Sequence, residues 1–414
     1  MRKPALSLLI LLSLMLSGCW DMTEIEDSIY VASIGVDSAG DGEYIWTFRL
    51  IEAEKLVLGM LTSVPGREAG LVSGTLSVRA ASLEQAVHMI QPSMARIISL
   101  EHVRWVAFGE ELARKGIGPL LSQFLRNHQI RRGTGLYVFI GDTVNGFRYN
   151  QPVADTNAIK FFETVRLVQK RFHLSPPLQM QHFYSRLMAP GLDPTLALVT
   201  VNFDAMKEPD GEIPPAGERS FKAGELPREG SNPVEFVGTA VFRGDRLAGM
   251  LNVDETQALL AMRGEMGKVY ASVPDPREEG KVLTLRFHQE NKPQFRVRFA
   301  GRRPVAHVKI QFEGEILSTP GKTDYTLAEN RRILEQHINT FMEKSSFVPM
   351  LRRVYGEWGA DPVGFGQLYR SRFATMDDWL AYRWPDHVKD MLITVEVDMF
   401  IRRFGLMLGN PDFE

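Results

Sequence analysis

One residue in this chain of 414 offers a soft nucleophile, Cys19. It follows Leu16, Ser17 and Gly18, the last two small enough to enter a narrow peptidase site. The thiol is thus the one side chain of the sequence available for alkylation, and the residues before it are of the size that a cleavage site needs. A lone free thiol in an exported protein would invite intermolecular pairing, which a thioether prevents. Elsewhere the sequence carries no reaction centre. The nine histidines are dispersed, and His173 and His182 flank the proline pair Pro176-Pro177 with no acid at zinc-ligand spacing. Gly-x-Ser-x-Gly, His-Glu-x-x-His and glycine-rich phosphate loops are absent, and Gly116-Ile117-Gly118 and Gly364-Phe365-Gly366 read as turns. Glu110-Glu111 and Asp377-Asp378 read as helix starts, where negative charge meets the N-terminal dipole. No catalytic residue, cofactor or metal ligand is expected.

The segment that positions the thiol has three parts: basic Arg2 and Lys3, an apolar run over 5–16, and small residues before Cys19. That is the pattern of a secretory signal, assigned to residues 1–18. It is shorter than the roughly 20 apolar residues of a transmembrane helix and is interrupted by Pro4, Ser7 and Ser13. Leu16-Ser17-Gly18-Cys19 resembles a bacterial lipobox, which implies a diacylglyceryl group on Cys19 and, after cleavage, an N-acyl chain. One chain anchors only marginally at about 0.8 kcal/mol per buried CH₂, so further acylation makes the tether stable. The expected product is a membrane lipoprotein on the extracytoplasmic face, in contact with lipid through Cys19.

Cleavage leaves 396 residues, more than the roughly 250–300 at which one hydrophobic core stops growing, so more than one domain is expected. With 44% hydrophobic and 24% charged residues the chain has the composition of a folded protein. A net charge of −2 argues against nucleic acid as partner. The doublets Arg131-Arg132, Arg302-Arg303, Arg352-Arg353 and Arg402-Arg403 are scattered and read as solvated surface, with lipid headgroup contact as the lesser alternative.

Two β-favouring runs, 29–36 and 44–51, flank Ala39-Gly40-Asp41-Gly42 and predict a hairpin. Ser82 with Gln85 predicts a capped helix ending before Pro92. Strands over 103–108 and 136–140 bracket short helices over 110–115 and 119–127, and 158–168 has a helical pattern. Residues 206–233 are crowded with Pro, Gly, Glu and Lys around Pro214-Pro215, with little to bury, and read as a linker or long loop. Beyond it, 234–242 and 246–251 flank Gly244-Asp245 as a second hairpin, and Asp254 with Gln257 predicts a cap for a helix over 255–263. Strands follow over 282–287, 295–299 and 305–312, then a helix from Thr326 and Glu329 to about Lys344. The alternation of Ile393, Val395, Val397, Met399 and Ile401 predicts a half-buried last strand. The expected fold class is α+β and multi-domain, with mixed and largely antiparallel sheets and packed helices. Its parts are a 19–205 α/β region, the 206–233 linker and a 234–414 α+β domain. Trp358, Phe365, Tyr369, Phe373, Trp379, Tyr382 and Trp384 crowd one stretch, where core packing is favoured over a ligand pocket or interface.

In this order the pieces resemble the Ger(x)C family of spore germination lipoproteins. The resemblance rests on Gly18-Cys19-Trp20-Asp21, Glu24-Ile25 and Gly35-Val36-Asp37, then on Glu101-His102-Val103, 109–113 and 126–132. It continues through Gly238-Thr239-Ala240-Val241-Phe242, Gly249, Glu255-Thr256 and Gly264 to Asp361-Pro362, Phe365-Gly366, Trp379, Trp384 and Gly405. It implies a receptor subunit beside two integral membrane subunits, of A and B type, in the spore inner membrane, with no catalytic residues. The competing readings are a lipid-anchored solute-binding protein of a transporter, which requires two like lobes around a cleft, and an extracytoplasmic enzyme, which requires a pocket of perturbed carboxylates.

Overall fold

The computed structural model describes residues 27–52, 74–150, 158–176, 179–207 and 221–405. Leu16, Ser17, Gly18 and Cys19, with the signal segment, lie outside the described residues. The fold is α+β, built on two unlike sheets.

The first sheet begins with the expected hairpin. β1 (Ser28–Gly40) turns through Asp41 and Gly42, both at positive φ, into β2 (Glu43–Glu52). β3 (Thr75–Ala80) pairs antiparallel with β2. On the other side β4 (Ile97–Ser99) and β5 (Trp105–Gly109) run parallel to β1, followed by parallel β6 (Gly135–Phe139) and β7 (Thr195–Val201). Every residue of β5, β6 and β7 is buried, as a parallel sheet covered on both faces requires. Helices Leu83–Ile90, Glu110–Lys115, Gly118–Arg126 and Met180–Leu187 cover one face through Leu83, Leu112, Phe124 and Phe183. Phe147 of helix Thr143–Tyr149 and Phe161 of helix Ala158–Phe172 cover the other.

The sheet does not end where the sequence suggests. The region assigned to a C-terminal domain from residue 234 opens with β8 (Val234–Glu235), β9 (Thr239–Arg243) and β10 (Arg246–Leu251). β8 and β9 pair antiparallel with β7, and β10 completes the order β10-β9-β7-β6-β5-β1-β2-β3. The chain after the linker thus returns to finish the sheet before it. The described second half of that linker is also held in place. The buried Glu235 carboxylate accepts from the Asn202 amide (2.7 Å), the Gly224 N–H (3.0 Å) and the Arg228 guanidinium (3.0 Å). Polar anchorage replaces the apolar burial that this stretch lacks.

The second sheet has β14 (Arg303–Ser318) at its centre. β12 (Val282–Gln289) pairs with its second half and β13 (Gln294–Ala300) with its first, both antiparallel. β11 (Val269–Pro274) extends the sheet beyond β12, and β15 (Leu392–Arg403) lies parallel along the other side of β14. Buried and partly exposed residues alternate through β14, so one face packs on helices and the other meets water. Helix Val253–Arg263 and the long helix Ala328–Met342, prolonged by π turns Glu343–Phe347 and Arg352–Trp358, supply the cover.

Two helix starts differ from expectation. Asn252, not Asp254, caps helix Val253–Arg263, with Glu255 completing the capping box. Thr326 does not cap the long helix, because the Asp324 carboxylate accepts both its N–H and its hydroxyl. That helix instead caps a strand. Glu335, Asn339 and Glu343 accept from the N–H groups of Ile401 (2.7 Å), Met399 (2.8 Å) and Val397 (3.0 Å). Four helical residues rise about 6 Å and two strand residues about 6.6 Å, so the two periods stay in step over three bonds. The unpaired edge of β15 is thereby closed to other strands. Replacing Asn339 with Ala leaves the Met399 N–H without its acceptor; the urea midpoint should drop by an amount equivalent to about 1 kcal/mol. An unchanged midpoint would show that water replaces the bond at no cost.

Candidate functional site

The chemistry-bearing side chains converge where the two sheets meet. The segment before β7 carries Asp193, the loop after the long helix carries Asp361, and helix Val253–Arg263 ends beside both. Asp361 is buried and surrounded by donors. The N–H groups of Gly364 (2.9 Å) and Phe365 (3.0 Å) and the Tyr355 hydroxyl (2.9 Å) donate to Oδ1; the Gly366 N–H (2.7 Å) and Trp384 Nε1–H (3.0 Å) donate to Oδ2. Burial raises its pKa to about 6, and the donors offset part of that rise.

Asp193 joins this node to the first sheet. Its Oδ2 accepts the Asp361 N–H (2.7 Å), its Oδ1 accepts the N–H of Gly244 in the β9–β10 turn (2.8 Å), and its own N–H donates to the Asp361 carbonyl (3.0 Å). Burial raises its pKa as well. The buried Arg263 guanidinium donates to the Pro362 carbonyl (2.8 Å) and to Thr195 Oγ1 of β7 (3.1 Å). Burial, with Arg186 nearby, lowers its pKa to about 9.

Glycines let the backbones close. A Cβ on Gly366 would sit 2.6 Å from the Gly191 Cα, so the two chains pass with no room for a side chain. Gly249 of β10 lies flat under the Trp358 ring, which would collide with any Cβ there. The Arg353 guanidinium lies 4.9 Å from the centre of that ring and donates to Glu255 and to the Met250 carbonyl (2.6 Å).

Seven of the C-terminal residues that carried the family resemblance lie at this joint: Gly249, Glu255, Asp361, Pro362, Phe365, Gly366 and Trp384. Asp193, Gly191 and Arg263 were not singled out from the sequence. An Asp-Pro pair at 193–194 echoing Asp361-Pro362 is the one trace they leave. The C-terminal aromatics are core as favoured, with Phe365, Tyr369, Trp379 and Trp384 buried and the Tyr369 hydroxyl donating to the Val305 carbonyl (2.6 Å).

Other candidates fall apart or into structural roles. Asp37, at the end of β1, accepts from the Thr143 hydroxyl (2.6 Å) and N–H (3.1 Å), tying that strand to helix Thr143–Tyr149; burial raises its pKa to about 6. Glu110 and Glu111 pair with Arg114 and Lys115 one turn on. His173 and His182, nine positions apart in sequence, line one cavity of about 440 Å³ with Lys170, Arg186 and Glu265. The His173 Nε2 accepts the Gly267 N–H (3.0 Å), another bond across the joint. Among the described residues no group of three or more His, Cys, Asp or Glu could hold a metal ion. No helix among them is long and apolar enough to cross a membrane.

Two unlike sheets locked by buried polar groups define a two-module α+β protein whose perturbed acids serve a joint. The chain belongs to the Ger(x)C family of spore germination proteins. The spore germination protein N-terminal domain matches residues 21–201, and the spore germination B3/GerAC-like C-terminal domain matches residues 237–405. The chain is similar to the putative spore germination protein YfkR of Bacillus subtilis (strain 168), 25% identical with 96% of each chain covered. It is also similar to spore germination protein KC of the same organism, 22% identical over 99% of this chain and 98% of that one. The crystal structure of the GerBC protein superposes with a TM-score of 0.52 and 14% identity, covering 92% of this chain and 99% of that one, a likeness of fold.

The Asp361 node has a pH signature. Between pH 3.8 and about 6 the native carboxyl holds a proton that the unfolded one has released, so stability falls as pH rises through this window. The margin of the parent over Asp361→Asn should be widest near pH 4 and narrow by up to about 3 kcal/mol by pH 7, at 1.36 kcal/mol per pKa unit. Urea titrations at stepped pH measure it; a margin that widens over that range would show that the donors outweigh burial.

Proposed function

We propose that this chain is the lipid-anchored accessory subunit of a spore nutrient germinant receptor, required for nutrient-triggered germination. It stands on the extracytoplasmic face of the spore inner membrane beside two integral membrane subunits, of A and B type. The observation that carries the reading is the pair of family matches, over 21–201 and 237–405, together spanning nearly the whole sequence after Cys19. Bacillus subtilis relatives matched end to end bear spore germination names, KC and B3 among them. The sequence around Cys19 supports the anchor, and the joint supports a rigid body that presents surfaces to partners. Confinement by a lipid raises the local concentration of such a body, so modest contacts with membrane subunits suffice.

The solute-binding alternative finds less support. It requires two like lobes, whereas the sheets here differ in strand number, direction and cover. It retains one feature, an apolar cavity of about 290 Å³ between helix Val253–Arg263, β11 and the long helix, lined by Met266, Phe287 and Phe341 among others.

In a Cys19→Ala strain, nutrient-triggered germination should fall while a trigger that bypasses nutrient receptors still works. Mass spectrometry of the parent protein should find the lipid on Cys19. Equal loss of both responses, or a full nutrient response after confirmed release from the membrane, would contradict the proposal.

A further inference from the structure

Two residues that the sequence marks as a helix cap are left without that task. Asn252 and Glu255 cap helix Val253–Arg263, so Asp254 and Gln257 are not needed for it. Both line the cavity of about 290 Å³ that lies between this helix, β11 and the end of the long helix. Its depth is apolar: Ala258, Leu285, Phe287, Phe312 and Ile338 are all buried. Its polar lining residues, Asp254, Gln257, Tyr270, Ser272 and Ser346, all keep some exposure and therefore mark the mouth. Among the described lining residues Asp254 alone carries a charge.

Three features make this a built opening and not a packing fault. β11 is the last strand of its sheet, and residues from both of its faces, Tyr270 and Ser272 on one and Ala271 and Val273 on the other, line the cavity, which therefore opens at the sheet edge. The long helix widens into the π turn Glu343–Phe347 as it passes, where Ser345 Oγ donates to the Phe341 carbonyl (2.6 Å). Phe341, Ser346 and Phe347 line the space so formed, and π turns of this kind recur at functional sites. The remaining wall belongs to the chain that joins the modules and is pinned by its backbone. The Phe221 carbonyl accepts the Val253 N–H (3.1 Å), and the Leu174 carbonyl accepts the Gly238 N–H (2.8 Å). The walls thus stand ready without a ligand. Water is a poor occupant, since it needs two to four polar partners and the buried side chains here supply none.

We propose that this cavity binds a small apolar amine, its hydrocarbon body among Leu285, Phe287 and Phe312 and its ammonium group at Asp254, with the Gln257 amide oxygen as a second acceptor. An engineered apolar cavity of about 150 Å³ holds benzene, so about 290 Å³ has room for an aromatic or branched body carrying a short chain. A single carboxylate at the mouth attracts an ammonium and repels an anion, which sets the sign of the head group. The ligand touches the second sheet, helix Val253–Arg263 and, through Phe221 and Leu226, the chain between the modules, so its occupancy stabilises their arrangement. It enters at the edge of one sheet, unlike the ligand of a solute-binding protein, which lies in a cleft between like lobes.

The test uses residues 19–414 carrying Cys19→Ala, so that no detergent is present to compete for an apolar site. Calorimetric titration with 2-phenylethylamine, 2-phenylethanol and phenylacetate varies the head group on nearly one body. The amine should bind one per chain with a dissociation constant on the order of 0.1 mM, the alcohol about tenfold more weakly, and phenylacetate not measurably. Asp254→Asn, which leaves the Asn252 cap intact, should weaken the amine about tenfold and leave the alcohol unchanged. Ala271→Leu fills the cavity from β11 and should abolish binding of both with an unchanged circular dichroism spectrum. No binding of the amine by the folded chain, equal binding of the three head groups, tighter binding of phenylacetate, or an Asp254→Asn protein that holds the amine as the parent does would each overturn the proposal. The site stands apart from the anchor: an unmodified native Cys19 contradicts the anchor alone, and an amine that does not bind contradicts this site alone.

Discussion

β9 is hydrogen-bonded to β7 on one edge and to β10 on the other, and the rest of the molecule depends on that placement. The chain has by then passed the 206–233 stretch and would be free to start an independent domain. It completes the first sheet instead, then departs from the end of β10 through Asn252 into the helix that covers the second sheet. The two sheets therefore share a continuous covalent and hydrogen-bonded path within a few residues. Gly249 and Trp358 close the contact from one side, and Asp193, held by both Gly244 and Asp361, closes it from the other. The two family domains, divided between residues 201 and 237, are units of sequence whose strands interlock in space.

Buried acids with raised pKa values often mark reaction centres. Here they mark joints, and the hydrogen-bond geometry tells the two apart. Both Asp361 oxygens are occupied by donors from the protein itself, three of them backbone N–H groups, and Asp37 gives its oxygens to Thr143. A carboxylate so engaged has no lone pair directed at a cavity. Removing such an acceptor strands several donors at once, which is why buried networks are costly to break and hold elements in one arrangement.

The sequence made local structure legible wherever one periodicity ruled. The β1–β2 hairpin, the Ser82 cap, the alternation in β15 and the aromatic core were read from patterns local in the sequence. It failed where two acceptors competed for the same donor. Asn252 outranked Asp254 as a cap because Glu255 could return the bond, and Asp324 captured the Thr326 groups that would have opened the long helix. The joint was beyond local reading: Asp193 and Asp361 lie 168 residues apart, and neither has a neighbour that announces a partner. The family pattern pointed to Asp361, Gly366 and Gly249 without a reason. The structure supplies one: Gly366 and Gly249 sit where a neighbouring segment leaves no room for a Cβ, and Asp361 accepts from five donors of the joint.

The buried polar groups between the two sheets make the joint a rigid connection where a hinged linker would let the modules move apart. Native-state hydrogen exchange across both sheets, followed as denaturant is raised, tests that rigidity directly. The account predicts that core amides of β6, such as Val138, and of β14, such as Val308, merge into one global opening with the same free energy. Opening of the second sheet at a distinctly lower free energy, with the first still protected, would contradict it.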